Sequence, residues 1–237
     1  MKASPTNAMN HRHTDDHEPV REQETQRTGS SYCPRPLVVG VTGGVATGKT
    51  TVARMLEDLG AKRISADEIV HELLRPGTET SRLVVEQFGS GFLADGEIDR
   101  GKLGEIVFKD AEKRRRLEEI IHPPVMAEIA KLIDEFRCNC SGVLVVEIPL
   151  LVEVGAMGMV DKVLLASAEQ DTQIDRLQKR YNLNRRDALL RVRSQLPMAD
   201  KAMHADWTIS TEGTLRTTKR RVERLWSDVQ KSLALRC

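Results

Sequence analysis

Residues 43–50, Gly-Gly-Val-Ala-Thr-Gly-Lys-Thr, match G-x-x-x-x-G-K-[ST] at Gly43, Gly48, Lys49 and Thr50. Few patterns of this length constrain a chain so tightly. Glycines let the backbone curl until successive N–H groups converge on phosphate oxygens. Lys49 supplies charge for the β- and γ-phosphates, and the Thr50 hydroxyl can ligate Mg²⁺. The flanks agree with this reading. Leu37-Val38-Val39-Gly40-Val41 reads as a buried strand. Val52, Met55, Leu56 and Leu59 recur at helical spacing, and Gly60 stands where a helix C-cap belongs. A phosphate would rest on the helix N-terminus, where the dipole and free N–H groups favour anions. The nucleotide-binding set is then Gly43, Gly44, Val45, Ala46, Thr47, Gly48, Lys49, Thr50 and Thr51.

Strand-like apolar runs follow at residues 61–65, 143–148, 162–166 and 207–209, with helical patterns between them. Strands alternating with helices predict an α/β fold, a parallel sheet covered on both faces. Right-handed crossovers then gather the C-terminal ends of the strands, and the ligand, on one edge. Residues 68–141 are charged and mainly helical in pattern, which predicts a helical insert. The last helix carries a stripe of Leu215, Val222, Leu225, Trp226, Val229 and Leu233.

Residues 1–36 differ from the rest. From Asn10 to Ser31 the apolar side chain is Val20, so a disordered extension is expected. It lacks the apolar core of a secretory signal, and its acids argue against a transit peptide. His11, His13 and His17 read as a solvated tail rather than a metal site. The net charge of +1 argues against a general nucleic-acid or membrane-surface binder. The four cysteines show neither C-x-x-C nor zinc spacing, which fits a reduced, intracellular setting. The most apolar stretch, 143–166, is broken by Glu147, Glu153, Asp161 and Lys162, short of a membrane span.

Several charged side chains stand where the strands should end. Asp67 can accept the proton of an attacking hydroxyl or hold Mg²⁺ through water; equally it can cap the following helix. Glu147 occupies the place of a Walker-B acid, or is a strand-end charge facing solvent. In the insert, Arg100 can fork onto an acceptor phosphate. His122 precedes Pro123, which predicts a helix end and an extended backbone there. Arg176 and Arg180 lie four apart, hence on one helix face. Arginines on a closing segment, residues 170–200, would meet charge on a transferring phosphoryl group.

Together these pieces resemble the dephospho-CoA kinase family, over nearly all of residues 37–237. The family pattern is carried by Thr42–Val52, Ser65-Ala66-Asp67, Asp99-Arg100 with Leu103, Leu117 to His122-Pro123, Pro149-Leu150-Leu151-Val152-Glu153, Gln173 to Arg180, and Ala205-Asp206. Two departures stand out. Ser65 replaces the first Asp of D-A-D, and Ser210-Thr211 fill the neighbourhood where the family carries an Asn. The resemblance implies a P-loop kinase fold: five parallel strands, helices on both faces, a helical substrate insert and a helical lid. It implies transfer of the γ-phosphoryl of MgATP to the 3′-hydroxyl of dephospho-CoA, in the cytoplasm, by a monomer or small homo-oligomer. Lys49, Asp67, Arg176 and Arg180 would be catalytic, Thr50 and Asp67 would hold Mg²⁺, and Asp67, Arg100 and His122 would receive the acceptor.

The sequence also admits other classes. A P-loop kinase of another nucleotide or metabolite would differ in the insert. A GTP-binding switch would need an N-K-x-D motif; Asn184-Arg185-Arg186-Asp187 approaches it only in letters. A non-catalytic nucleotide-binding regulator would bind ATP without turning it over.

Overall fold

The computed structural model describes residues 35–108 and 110–236. The expected disordered tail, with His11, His13 and His17, lies outside the described residues apart from its last two positions. In chain order the elements are β1 (Leu37–Thr42), α1 (Lys49–Asp58), β2 (Lys62–Ser65), α2 (Ala66–Leu73), α3 (Glu79–Phe88), β3 (Leu93–Ala94), β4 (Glu97–Ile98) and α4 (Arg100–Phe108). Then come α5 (Ala111–Asn139), β5 (Val143–Glu147), a 3₁₀ turn (Ala156–Met159), β6 (Lys162–Ser167), α6 (Gln170–Tyr181), α7 (Arg185–Arg193), α8 (Met198–Ala202), β7 (Trp207–Ser210) and α9 (Leu215–Ala234).

Five strands form one parallel sheet in the order β2-β5-β1-β6-β7. Every residue of β1 and β5 is buried, as the unbroken apolar runs require of strands covered on both faces. Side chains alternate between two cores. Val38, Leu144 and Val146 pack under α2–α5, whereas Leu37, Val39, Val41, Val143 and Val145 pack under α1 and α9. The central strand β1 lies between β5 and β6, so Thr42, Glu147 and Ser167 end on the same edge. Gly60, with positive φ, closes α1: its N–H bonds Glu57 O and the Ala61 N–H bonds Leu56 O, a Schellman arrangement.

Two expectations need correction. His122 does not end a helix; it lies within α5, which runs through Pro123 and Pro124. Each interior proline removes a donor and costs about 3 kcal/mol. The helix persists because Ile121, Val125, Ile129, Ile133 and Phe136 form one buried stripe against the core, and packing outweighs the local preference. Leu215 also leaves its expected stripe. It is 70% exposed at the first turn of α9, while Val222 and Val229 are buried and Leu225, Trp226 and Leu233 pack beside them. The insert further contains a β3–β4 hairpin whose turn, Asp95-Gly96, has positive φ at both residues. An Asp-Gly pair favours that two-residue turn.

Candidate active site

The phosphate loop joins β1 to α1. Gly43 sits where a Cβ would come 2.3 Å from Ala166 O at the end of β6 and 2.7 Å from Thr47 Oγ1. Gly48 takes φ 85° to start α1. The Thr47 hydroxyl donates to Gly44 O at 2.8 Å and is fully buried. These contacts hold the loop in its curl.

Beside the loop, the Thr50 hydroxyl donates to Glu147 Oε1 at 2.5 Å. Glu147 is 2% exposed at the end of β5. Its other oxygen is buried without a hydrogen bond and lies 3.6 Å from Arg63 Nη1 on β2. Arg63 also pairs with Glu57 and Glu68, at 3.0 Å and 2.5 Å. Thus Glu147 is not a strand-end charge facing solvent; it is drawn inward onto the loop. Ser65, opposite Glu147 in the sheet register, is buried and stands at the N-cap of α2 without a side-chain capping bond. Asp67 follows in the first turn of α2, exposed, and does not occupy the N-cap position.

Lys49 donates to Gly44 O at 2.8 Å. The residue as a whole keeps some exposure, yet lost hydration is the main reason its ammonium is lowered to about 8 from 10.5. The nearby charge of Lys201 pushes the same way, while Glu147, Asp67 and Glu153 oppose it. The free protein therefore carries the ammonium below about pH 8 and loses it above. ATP binding that uses this charge weakens as pH rises through about 8, by up to roughly tenfold per unit. Equilibrium ATP binding across about pH 6–10 checks this; a flat profile through the alkaline half would refute it. The same shift opposes folding below about 8, and that cost fades as pH rises toward 10.5, the unfolded value.

The α6–α7 hairpin packs on the other side of the loop. Ile174, Leu177 and Ala188 form its core, and Val45 and Ala46 pack against them. Arg176 donates to Ala46 O (3.0 Å), Thr211 Oγ1 (3.0 Å) and Thr211 O (2.7 Å). The Thr211 hydroxyl donates to Thr47 O at 2.7 Å. Arg180 is exposed, one turn further along α6. Both arginines line a cleft of about 380 Å³ with Gly48, Thr51, Thr211 and Leu215, which accounts for the exposed Leu215. In the insert, Asp99 Oδ1 accepts from the Gly101 and Lys102 N–H groups and so starts α4, while Leu103 is buried in the core. Arg100 is exposed beside a cavity of about 340 Å³ lined by His71, Arg75 and Glu97. His122 is half-buried on α5 and does not line that cavity. Asp206 accepts from Lys162 Nζ and the Val163 N–H, at 2.6 Å and 2.8 Å, pinning the chain before β7 to β6.

Sequence reading overlooked Arg63, Gln195 and Lys201 as parts of this site. Gln195 Oε1 accepts from the Val45 N–H at 2.7 Å, and Lys201 Nζ lies 2.6 Å from Glu153 Oε1. A lysine two residues past Pro-Met-Ala carries no local signal of burial; only the fold brings it there.

The oxygen donors fit Mg²⁺. Thr50 offers a hydroxyl, Glu147 a carboxylate whose second oxygen lacks a hydrogen bond, and Asp67 an exposed carboxylate. Mg²⁺ takes one or two protein carboxylates and completes its shell with water and phosphate.

The family profile described as dephospho-CoA kinase matches residues 37–217. The dephospho-CoA kinase of Geobacter sulfurreducens is 41% identical over 192 residues, 80% of this chain and 97% of its own length. That of Geobacillus kaustophilus is 38% identical over 199 residues, 82% of this chain and 99% of its own. Among solved structures, a Thermus thermophilus protein superposes with a TM-score of 0.65 at 28% identity, over 82% of this chain and 98% of its own. The dephospho-CoA kinase of Campylobacter jejuni gives 0.56 at 27% identity, over 82% and 98%.

Proposed function

This chain belongs to the dephospho-CoA kinase family, and from that premise we propose how its residues carry out the transfer. The protein is a phosphotransferase with a hydroxyl acceptor. It moves the γ-phosphoryl group of ATP to the 3′-hydroxyl of dephospho-CoA, giving coenzyme A and ADP. The observation that carries the assignment of roles is a single sheet edge. There the phosphate loop, Lys49, the Thr50–Glu147 pair and Asp67 stand together.

The loop amides and Lys49 hold the β- and γ-phosphates at the start of α1. Asp67 takes the proton of the 3′-hydroxyl as its oxygen bonds the γ-phosphorus and the bond to the β-phosphate oxygen breaks. Its exposure leaves room for an acceptor, and the reach of its charge to Lys49 supports a role next to the transferring group. Thr50, Glu147 and Asp67 would hold Mg²⁺, which supplies charge neutralisation of the β- and γ-oxygens when bound with the nucleotide. Arg176, fixed by three hydrogen bonds, and the exposed Arg180 meet charge on the phosphoryl group from the α6–α7 side. Segment 170–200 acts as the lid. Segment 68–141, with Arg100 and His122, receives the CoA moiety. Among the described residues no helix is long and apolar enough to cross a membrane, and we place the reaction in the cytoplasm.

ADP release with MgATP, measured for dephospho-CoA beside nucleosides and nucleoside monophosphates, tests this. Turnover on dephospho-CoA alone is expected. Turnover on a different acceptor would overturn the reading of the insert. ATP binding without turnover on any acceptor would move the chain to the regulator class.

A further inference from the structure

The amides of a phosphate loop converge on an anion only if the carbonyls of the same peptide units turn the other way, because a trans peptide sets C=O and N–H on opposite sides. Those carbonyls then need donors from the protein. Gly44 O accepts from the Thr47 hydroxyl and from Lys49, both within the loop and its helix. Ala46 O accepts from Arg176 of α6 at 3.0 Å, and Thr47 O accepts from the Thr211 hydroxyl, in the turn after β7, at 2.7 Å. Thr47 O shares its peptide unit with the Gly48 N–H. That amide stands at the start of α1, where a phosphate would rest, and meets no acceptor among the described residues. Holding the carbonyl fixes the direction of the amide. The loop needs such support: Ala46 keeps φ 57°, a conformation that residues other than glycine hold only when their surroundings impose it.

Thr211 is 4% exposed, and its hydroxyl also accepts from Arg176 Nη1 at 3.0 Å. A hydroxyl has one proton to give. The competing acceptor, Ser167 O, is farther away at 3.2 Å and already receives the Thr211 N–H. The turn itself does not require this hydroxyl. Arg221 of α9 donates to Ser210 O and Glu212 O, and the Glu212 carboxylate accepts from the Glu169 N–H and the Thr172 hydroxyl. A valine would fill the same space in an equally anchored turn. What the hydroxyl adds is a donor for the loop and an acceptor for Arg176.

We propose that Thr211 is a positioning residue for phosphate binding: its hydroxyl, between Thr47 O and Arg176, aims the Gly48 N–H at the phosphates of the nucleotide. The inference rests on the loop being the ATP site. ATP binding by the unaltered protein tests that premise separately, since its absence would remove the premise before any variant is compared.

T211A, T211S and T211V test the role itself, with ATP affinity measured by equilibrium binding and inorganic tripolyphosphate by its competition with ATP. The Thr211 methyl lies against Gly48, 3.4 Å from where a Cβ would stand. T211A and T211S both lack that methyl and differ only in the hydroxyl. T211S is expected to bind ATP within about twofold of the unaltered protein, and T211A and T211V about tenfold more weakly, the effect of one buried carbonyl left without its donor. Tripolyphosphate carries neither base nor ribose. Misdirected loop amides therefore weaken it by the same factor as ATP, whereas damage to the nucleoside cleft does not. Equal affinities in T211A and T211S, or a loss on ATP that tripolyphosphate does not share, overturn the proposal. Should T211V not fold, the comparison of T211A with T211S still decides.

Discussion

Asp67→Asn is expected to lower turnover by roughly 10²–10⁴-fold, the usual range for a positioned general base, while ATP affinity stays near its original value. The substitution keeps shape and removes the proton acceptor. Asp67 is exposed in the first turn of α2 and has no capping role, so the fold has little to lose. Its charge nevertheless reaches Lys49 across the site. Single-turnover rates with saturating ATP and dephospho-CoA, set beside equilibrium ATP binding, separate chemistry from affinity. A turnover within about threefold of the original would remove Asp67 from the chemistry. A loss confined to ATP affinity would make it a ligand of the nucleotide's metal instead.

Gly43→Ala is expected to damage both fold and function. A methyl group there would lie 2.3 Å from the backbone oxygen of Ala166, which cannot rotate away as a side chain can. Overpacking of this kind costs about 1–3 kcal/mol. For a domain of this size that lowers Tm by about 2–12 °C. The strain has two outlets, movement of β6 or movement of the loop, and the loop is the weaker element. Displacing its amides by about 1 Å costs roughly 10²-fold in catalytic efficiency. Gly104→Ala is the matched control, since a Cβ there meets nothing within 4 Å on α4. It should leave Tm unchanged or raise it, by up to about 1 kcal/mol of stability. A Gly43→Ala protein melting with the original would mean that the close approach to β6 imposes no constraint.

The loop glycines show how far sequence reading reaches. Gly48 is required by its own φ, a local property that the motif reports directly. Gly43, also named by the motif, is further constrained by a strand more than a hundred residues away, and the motif does not show that part of the reason. The helix through Pro123 and Pro124 makes the same point from the other side. The local rule before proline is a preference, and a buried stripe of five residues overrode it. Leu215 fits the amphipathic period of α9, yet the helix begins at the mouth of a cleft, and the first turn faces that cleft instead of the core.

The sequence by itself determined the alternation of strands and helices, the position of the phosphate loop and the identity of the family. Those depend on periodicity and on spacing within a few residues, and both survive in one dimension. Tertiary structure alone decided which charges meet. Thr50 finds Glu147 across 97 positions, and Thr211 finds Thr47 across 164. The pairing of Arg63 with Glu147 and of Lys201 with Glu153 likewise depends on strand order and on where α8 comes to rest. Burial and charge act through space rather than along the chain, so Lys49 is lowered first by its loss of hydration in the fold and then by charges that the motif around it does not contain.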